Sequence, residues 1–335
     1  MNRRHTLRSL RRSLLGALAA ALLIHALPVR AQTPSPALPR VALVLPGSLR
    51  TQADRVEPLR QRLRELGYIE GKNLILEVHE LDGRFERLPA LMQEIVAARP
   101  QIILVWGSQS VRAALAATST IPIVTGTVGR PVEQGFALSL ARPGKNVTGN
   151  VLIEGVSDEK SVEIIHEFVP RGTRIALLDD PANPVDGRRQ RFGAAAAKRK
   201  LTPVFVSASS LEEIPLAFAS AVEQRAQMLV VARSGNFSTN PKIVVDLAAR
   251  HRLPTAYSSD SFAAHGALVT YAESNAVMAR NAALIADRIL KGRKPAELPF
   301  EQPTQFEMIV NRTTAKALGL TIPQTILVRA DRVIE

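Results

Sequence analysis

The sequence predicts an α/β protein built as two units, each a parallel β-sheet covered by helices on both faces. Short runs of Val, Ile and Leu alternate with segments whose apolar residues recur at helical spacing. This alternation occurs in two successive halves of similar size, which indicates a structural duplication. With 335 residues and 46% apolar composition, the chain can bury a core in each half.

The first half contains four predicted strands. The first strand ends at Pro46-Gly47, and Val56, Leu59 and Leu63 then fall on one face of a helix that Gly67 closes. The predicted strands are 41–45, 74–78, 102–106 and 121–125, and the helices between the later ones are 88–98 and 110–117. Strands that are apolar along most of their length are typical of a sheet buried on both faces.

The second half repeats this order. The predicted strands are 175–178, 204–206, 228–231 and 253–257, and the helices between them start near Asp186, Ile214 and Pro241. A last helix from Ser274 to Gly292, a strand at 306–310 and a short helix at 314–318 complete the chain. The segment 143–149 is the predicted crossing point between the two units.

The amino terminus has the composition of a secretory signal peptide spanning residues 1–31. Several Arg precede an apolar run at 14–24, and Val29 and Ala31 have the spacing that signal peptidase reads. An uncleaved membrane anchor is the alternative, but the run is shorter than the ~20 residues that span a bilayer. Arg11-Arg12 also resembles a twin-arginine export signal, and the general export route is equally compatible. We therefore expect a protein that starts at Gln32 in the periplasm or another extracytoplasmic space.

The charge and the missing motifs exclude several functions. The signal peptide contains six Arg and no acid, so its removal lowers the net charge from +13 to +7 and weakens a nucleic-acid interpretation. The chain has no Cys, no phosphate-binding G-x-x-x-x-G-K-[ST] motif, no G-x-G-x-x-G fingerprint and no G-x-S-x-G nucleophile motif. Its His residues are not clustered as metal ligands. We therefore expect no cofactor, no metal and no enzymatic activity, and predict a binding protein.

Ligands of open parallel sheets bind at the carboxyl ends of the strands, and the loops predicted there are rich in polar residues. The candidate ligand-binding residues are Ser48, Ser108, Gln109, Ser110, Thr127, Asp180, Asn183, Arg233, Ser234, Ser258 and Asp260. The helix start at Ser108 and Ser110 suits a carboxylate, with simple N-capping as an equal alternative. Asp260 suits an ammonium group, with a turn-forming role as the alternative.

Four segments carry a resemblance to a known family. They are residues 66–73 (LGYIEGKN), 83–85 (GRF) with Leu88-Pro89, 139–149 (SLARPGKNVTG) and 315–323 (AKALGLTIP). From about Val41 to Glu335, the chain resembles the ABC-transporter substrate-binding proteins related to the tryptophan/tyrosine-binding type. The resemblance implies a type I periplasmic-binding-protein fold, with two Rossmann-like lobes joined by three crossovers and hinged around a cleft. By position, it places Ser108 to Ser110 and Thr127 on the carboxylate side, and an acid at Asp260.

The resemblance also implies a division of the chain and a function. A tether at 32–39 leads to an N-terminal lobe of 40–148 plus about 273–300, and to a C-terminal lobe of 149–272 plus about 301–335, with the lobe of the tail left open. The expected function is a monomeric solute-binding protein of an ABC importer. It closes over a small carboxylate-bearing ligand, either an amino acid, including an aromatic one, or an organic acid, and delivers it to an inner-membrane permease and its ATPase.

Departures from the family pattern affect the expected ligand. Arg130 in Gly129-Arg130-Pro131-Val132 stands where many relatives have an acid, and Arg233-Ser234 replaces a frequent Pro-Asp. If both Arg point inward, they favour an anionic ligand over a zwitterion, and the alternative is that they face water. Trp106, with Tyr257 or Tyr271, is a candidate for the pocket lining, and the alternative for Trp106 is packing beneath the first lobe.

Two other functions share this architecture. A ligand-sensing module for a membrane receptor uses the same fold without a transporter. A two-lobed glycosyltransferase-like enzyme needs a nucleotide-sugar site and usually works in the cytoplasm, so the export signal disfavours it.

Overall fold

The computed structural model describes residues 38–152, 156–302 and 305–335. The predicted signal peptide and residues 32–37 of the predicted tether lie outside these ranges. Within the described part of the chain, no helix has both the length and the apolar composition needed to cross a membrane.

The first sheet has five parallel strands in the order β2-β1-β3-β4-β5. Its strands are β1 (Arg40–Leu45), β2 (Ile75–Glu80), β3 (Ile102–Val105), β4 (Ile123–Gly129) and β5 (Val147–Leu152). The helices of this part are α1 (Ala53–Glu65), α2 (Leu88–Ala97) and α3 (Ser108–Ala117). Because side chains alternate along a strand, Val41 and Leu43 of β1 pack in one core beside α1, whereas Ala42 and Val44 pack in another beside α2 and α3.

The second sheet has seven strands in the order β12-β11-β10-β9-β8-β6-β7, with β10 and β11 antiparallel and the other pairs parallel. Its strands are β6 (Arg174–Asp179), β7 (Thr202–Ser207), β8 (Met228–Val231), β9 (Thr255–Tyr257), β10 (Val269–Glu273), β11 (Phe306–Asn311) and β12 (Arg332–Ile334). The helices are α4 (Val156–Phe168), α5 (Arg188–Lys198), α6 (Glu213–Glu223), α7 (Gly235–Thr239), α8 (Pro241–Arg250), α9 (Asn275–Leu290), α10 (Arg312–Ala317) and α11 (Gln324–Arg329). Ile175 and Leu177 of β6 face α4 and α5, whereas Ala176 and Leu178 face α6 and α8.

The chain passes between the two sheets more than once. It leaves the first sheet after Leu152, since β5 pairs with β4 beyond the crossing point that the sequence predicts at 143–149. Helix α9 follows β10 of the second sheet but packs against α1, β4 and β5 of the first. Strands β11 and β12 then belong to the second sheet. The α/β prediction with parallel sheets flanked by helices in two lobes is confirmed, and we call the parts built on the first and second sheets the first and second lobe.

Candidate functional site

A cavity lies between the lobes, where strands of both sheets end. Its empty volume of about 1010 Å³ includes the solvent at its open mouth. The first lobe contributes Trp106 and Ser108 after β3 and the end of β4. The second lobe contributes Asp180 after β6, Ser234 after β8 and Ser258 after β9.

The structure brings together nine of the residues that the sequence singles out. Those that line the cavity are Trp106, Ser108, Gln109, Thr127, Asp180, Asn183, Arg233, Ser234 and Ser258. Eight of them follow a strand and Thr127 is among the last three residues of β4, and the carboxyl ends of parallel strands share one edge of their sheet. Six other candidates do not line the cavity, and their contacts explain why.

Ser48 and Asp260 make polar contacts within the fold, and Ser110 is buried in it. The Oγ atoms of Ser48 and Thr51 lie 3.2 Å apart within one turn. Ser110 is fully buried on α3, and its hydroxyl has no hydrogen-bond partner in the ranges that the structure describes. Asp260 accepts a 2.7 Å hydrogen bond at Oδ2 from the backbone N–H of Asn275, at the start of α9. The expected carboxylate site at Ser108 and Ser110 therefore has only its first hydroxyl on the cavity.

Arg130, Tyr257 and Tyr271 do not line the cavity either. Nη1 of Arg130 donates a 2.6 Å hydrogen bond to Oδ2 of Asp186, which connects the end of β4 with the loop before α5 of the second lobe. Tyr257 is buried in the core of the second lobe, with its ring centroid 4.7 Å from that of Phe262. Tyr271 is half-buried and stacks on Phe306 with a centroid distance of 5.4 Å. Successive side chains of a strand point to opposite faces of the sheet. The side chains of Tyr257 on β9 and Tyr271 on β10 both point to a face that packs against the core of the second lobe.

Trp106 lies between the core of the first lobe and the cavity. Its indole is buried in the core beside α1 and α9, and it also lines the cavity. Gly126 of β4 allows this position, because a Cβ atom there would lie 2.0 Å from Cε2 of the indole. The indole N–H has no hydrogen-bond partner among the residues described. Trp106 therefore offers the cavity an aromatic surface, and its donor is not used by the protein.

Four charged residues of the cavity wall form two ion pairs. Nε of Arg188 donates to Oδ2 of Asp158 over 3.0 Å, and both side chains are less than one-tenth exposed. Nη2 of Arg233 donates to Oε2 of Glu273 over 3.1 Å. Arg130 pairs with Asp186 outside the cavity, and Arg233 is paired within it. The two arginines that the sequence offers as a reason for an anionic ligand thus already have acidic partners.

Asp180 is surrounded by neutral donors. Its Oδ2 accepts hydrogen bonds from Oγ of Ser234 at 2.5 Å and from Nδ2 of Asn236 at 3.0 Å, and its Oδ1 accepts from the N–H of Ala182 at 2.9 Å. No Lys, Arg or His of the described ranges lies within 4.0 Å of this buried carboxylate. Asp180 therefore lines the cavity from the second lobe without a cationic neighbour in the described ranges.

Gln52 and Arg55 also line the cavity, and the sequence interpretation did not include them. Both are more than nine-tenths buried, at and just before the start of α1. Their positions carry a signal, since residues 52, 55, 56, 59 and 63 recur at the spacing of one buried helix face. A polar residue on such a face needs a partner or a ligand. Asp158, Arg188 and Glu273 were not singled out either.

Asn275 connects two carboxylates beside the cavity. Its Nδ2 donates to Oδ2 of Asp54 over 2.7 Å, and its backbone N–H donates to Oδ2 of Asp260 over 2.7 Å. Burial and the nearby Asp54 carboxylate raise the pKa of Asp260 to about 6, although Arg233, the Asn275 N–H and Arg55 act in the opposite direction. The pKa of Asp260 is therefore well above the usual value for an aspartate side chain.

We expect Asp260 to make the protein more stable in mild acid. The folded protein holds this proton more tightly than the unfolded chain, so the stabilisation is complete below about pH 4 and is lost as the pH rises through about 6. The effect is no larger than about 3 kcal/mol. Thermal unfolding at pH 5 and pH 7.5 should show a smaller pH effect in Asp260→Asn than in the wild type. Equal pH effects in the two proteins would contradict the assignment.

The described residues include no group of side chains that could bind a metal ion, either near the cavity or elsewhere. Across the described ranges, no three His, Asp or Glu side chains are grouped as a metal ion would require. The available chemistry is that of hydrogen bonds, ion pairs and an aromatic wall. Two α/β lobes around a shared polar cavity define the general class of two-lobed small-molecule binding proteins.

The chain belongs to the family described as ABC transporter substrate binding protein, whose model matches residues 44–334. It is 25% identical over 260 residues to a tyrosine-binding protein of Clostridioides difficile (strain R20291), covering 77% of this chain and 74% of that one. The family is one of binding proteins rather than enzymes.

Solved structures show the same fold. The ABC domain in complex with L-Trp from Streptococcus pneumoniae has a TM-score of 0.80 at 20% identity, covering 89% of this chain and 100% of that one. A conserved domain protein from Vibrio cholerae has a TM-score of 0.79 at 23% identity, covering 88% and 99%. A substrate-binding protein from Clostridium difficile in its ligand-free, open structure has a TM-score of 0.63 at 20% identity, covering 89% and 99%. The type I periplasmic-binding-protein fold that the sequence predicts is therefore confirmed.

Proposed function

We propose that this protein is the extracytoplasmic solute-binding component of an ABC importer, and that it closes its lobes over a small carboxylate-bearing ligand. The observation that carries the proposal is the cavity itself, to which both lobes contribute charged residues and Trp106 contributes an aromatic wall. A site divided between two lobes binds its ligand most tightly when the lobes are closed, which couples binding to a hinge motion.

An amino acid is the ligand class that we favour over an organic acid. The relatives include a tyrosine-binding protein and a structure in complex with L-Trp. In this chain the unpaired carboxylate of Asp180 suits an ammonium group, and Phe85 and Trp106 suit an aromatic or apolar side chain. The two arginines that favoured an organic acid on sequence grounds have acidic partners.

Export and delivery complete the proposal. The mature protein starts at Gln32 after cleavage of the signal peptide and acts as a monomer that presents its ligand to an inner-membrane permease with an associated ATPase. Amino-terminal sequencing of the exported protein tests the cleavage site, and an intact Met1 in the membrane fraction contradicts it. Uptake of the bound amino acid by vesicles that contain the permease tests delivery.

Ligand binding is tested by a thermal-shift screen of the twenty L-amino acids and a set of organic acids. A ligand at one hundred times its Kd should raise the free energy of unfolding by about 2.7 kcal/mol. Small-angle scattering should then show a more compact protein with the ligand than without it. Stabilisation by none of these compounds would refute the proposed ligand class, and binding without compaction would refute closure.

A further inference from the structure

Six charged side chains line the cavity, and only four of them form ion pairs with each other. Arg188 pairs with Asp158 and Arg233 pairs with Glu273. The two that remain, Arg55 and Asp180, have no ion-pair partner within 4.0 Å in the described ranges. Arg55 starts from α1 of the first lobe and Asp180 follows β6 of the second, so a cation and an anion of the cavity remain unpaired on opposite lobes.

Arg55 is buried but makes no side-chain hydrogen bond to any residue that the structure describes. The residue is 6% exposed, and within the described chain its Nε has no partner. Burial lowers the pKa of Arg55, whereas the nearby carboxylates of Asp54 and Asp260 raise it, and an Arg side chain stays charged in either case. A buried charge without a partner costs free energy, so its presence in a cavity wall points to a partner that arrives with the ligand.

The acids closest to Arg55 are engaged elsewhere. Asp54 and Asp260 each direct Oδ2 to Asn275, one to the side-chain amide and the other to the backbone N–H. Neither carboxylate lies within 4.0 Å of the Arg55 guanidinium, and the Oδ1 atom of each has no hydrogen-bond partner in the described ranges. Nε of Arg55 therefore has no hydrogen-bond partner in the described ranges, and neither has the side-chain amide of Gln52, which lines the same cavity.

We propose that the Arg55 guanidinium is the anchor of the ligand's carboxylate, with Gln52 as an additional donor. The inference rests on the proposed function and names the residue that selects its substrate. A guanidinium presents two parallel N–H groups that match both oxygens of a carboxylate. A ligand held by Arg55 on the first lobe and by Asp180 on the second connects the lobes through opposite charges. A dicarboxylate would instead place its second negative charge against Asp180.

The helix start that the sequence suggested for this role is less suitable. Oγ of Ser108 accepts a 2.9 Å hydrogen bond from Nε2 of Gln134, and Ser110 does not line the cavity. Neither residue brings a positive charge. Arg55 brings both the charge and the unused donors, and the anchor therefore belongs to α1 rather than to α3.

The test compares the wild type with Arg55→Met and with Arg64→Met, an exposed residue of the same helix. Calorimetric titration with the twenty L-amino acids should show that Arg55→Met loses at least tenfold in affinity for every amino acid that the wild type binds. Arg64→Met should bind as the wild type does. Asp180→Asn should weaken amino acids but leave their deaminated acids, which lack the ammonium group, bound as before.

Unfolding without ligand supplies a second, independent readout. The Tm of Arg55→Met should equal or exceed that of the wild type, because a buried unpaired charge has been replaced by an apolar side chain of similar length. A Tm several degrees lower would show that Arg55 is the structural counter-ion of Asp54 and Asp260, and would overturn the proposal. Unchanged amino-acid affinity in Arg55→Met overturns it while leaving the proposed function intact. A wild type that binds no amino acid and no organic acid refutes both.

Discussion

Asp158→Asn is expected to lower the free energy of unfolding by about 3 kcal/mol, because it leaves the Arg188 guanidinium buried without its carboxylate. The pair joins α4 to the start of α5, and both side chains are less than one-tenth exposed. Urea denaturation measures the loss. The double variant Asp158→Leu with Arg188→Met should recover most of it, because it removes both charges from the interior.

Asp246→Asn is the matched control for this substitution. Asp246 pairs with Lys242 on the exposed face of α8, where an i,i+4 pair contributes only about 0.3 to 0.5 kcal/mol. If Asp158→Asn lowers the free energy of unfolding by less than 1 kcal/mol, water reaches the Arg188 guanidinium. The Arg188–Asp158 pair would then not be shielded from solvent.

Gly126→Ala is expected to abolish high-affinity ligand binding and to destabilise the fold by about 1 to 3 kcal/mol. The new methyl group would lie 2.0 Å from Cε2 and 2.3 Å from Nε1 of Trp106, and a rigid indole can relieve this only by moving as a whole. Trp106 is the single Trp of the chain, so its fluorescence emission reports the movement directly. We expect a shift of the emission maximum in the variant before any ligand is added.

Gly193→Ala controls for the loss of a glycine. Gly193 lies inside α5, and a Cβ atom there would meet nothing within 4 Å, so the substitution should stabilise the protein by about 0.5 to 1 kcal/mol. An unchanged emission spectrum and unchanged affinity in Gly126→Ala would mean that Trp106 does not form the wall of the binding site.

The sequence predicted most of the fold because its strands are apolar along most of their length. The runs at 41–45, 102–105 and 228–231 are buried at every position, and no helical spacing competes with them. Strand β5 was not predicted, because Thr148, Gly149 and Asn150 interrupt its apolar pattern. Strand β5 is extended because it pairs with β4. This pairing is a tertiary contact, and the β-propensities of the residues in β5 do not predict it.

The sequence predicted those site residues whose positions depend only on the direction of the strands. Ser108, Asp180 and Ser234 follow parallel strands, and such ends meet at one edge of a sheet whatever the side chains do. The structure places Asp260 and Tyr257 away from the cavity, since side-chain direction and packing depend on the neighbouring elements. A single sequence does not show whether the side chains of Asp260 and Tyr257 point toward the cavity or toward the core.

Helix α9 has a consequence for the order in which the protein is made. It covers the face of the first sheet that Val41, Leu43 and Leu45 present, yet it is translated only after β10 of the second lobe. In a nascent chain that ends before Asn275, α1 can pack on this apolar face but α9 is missing, and the second sheet still lacks β11 and β12. Contacts between such distant parts of a chain form slowly. Neither lobe can therefore be completed before the chain has been translated beyond β10.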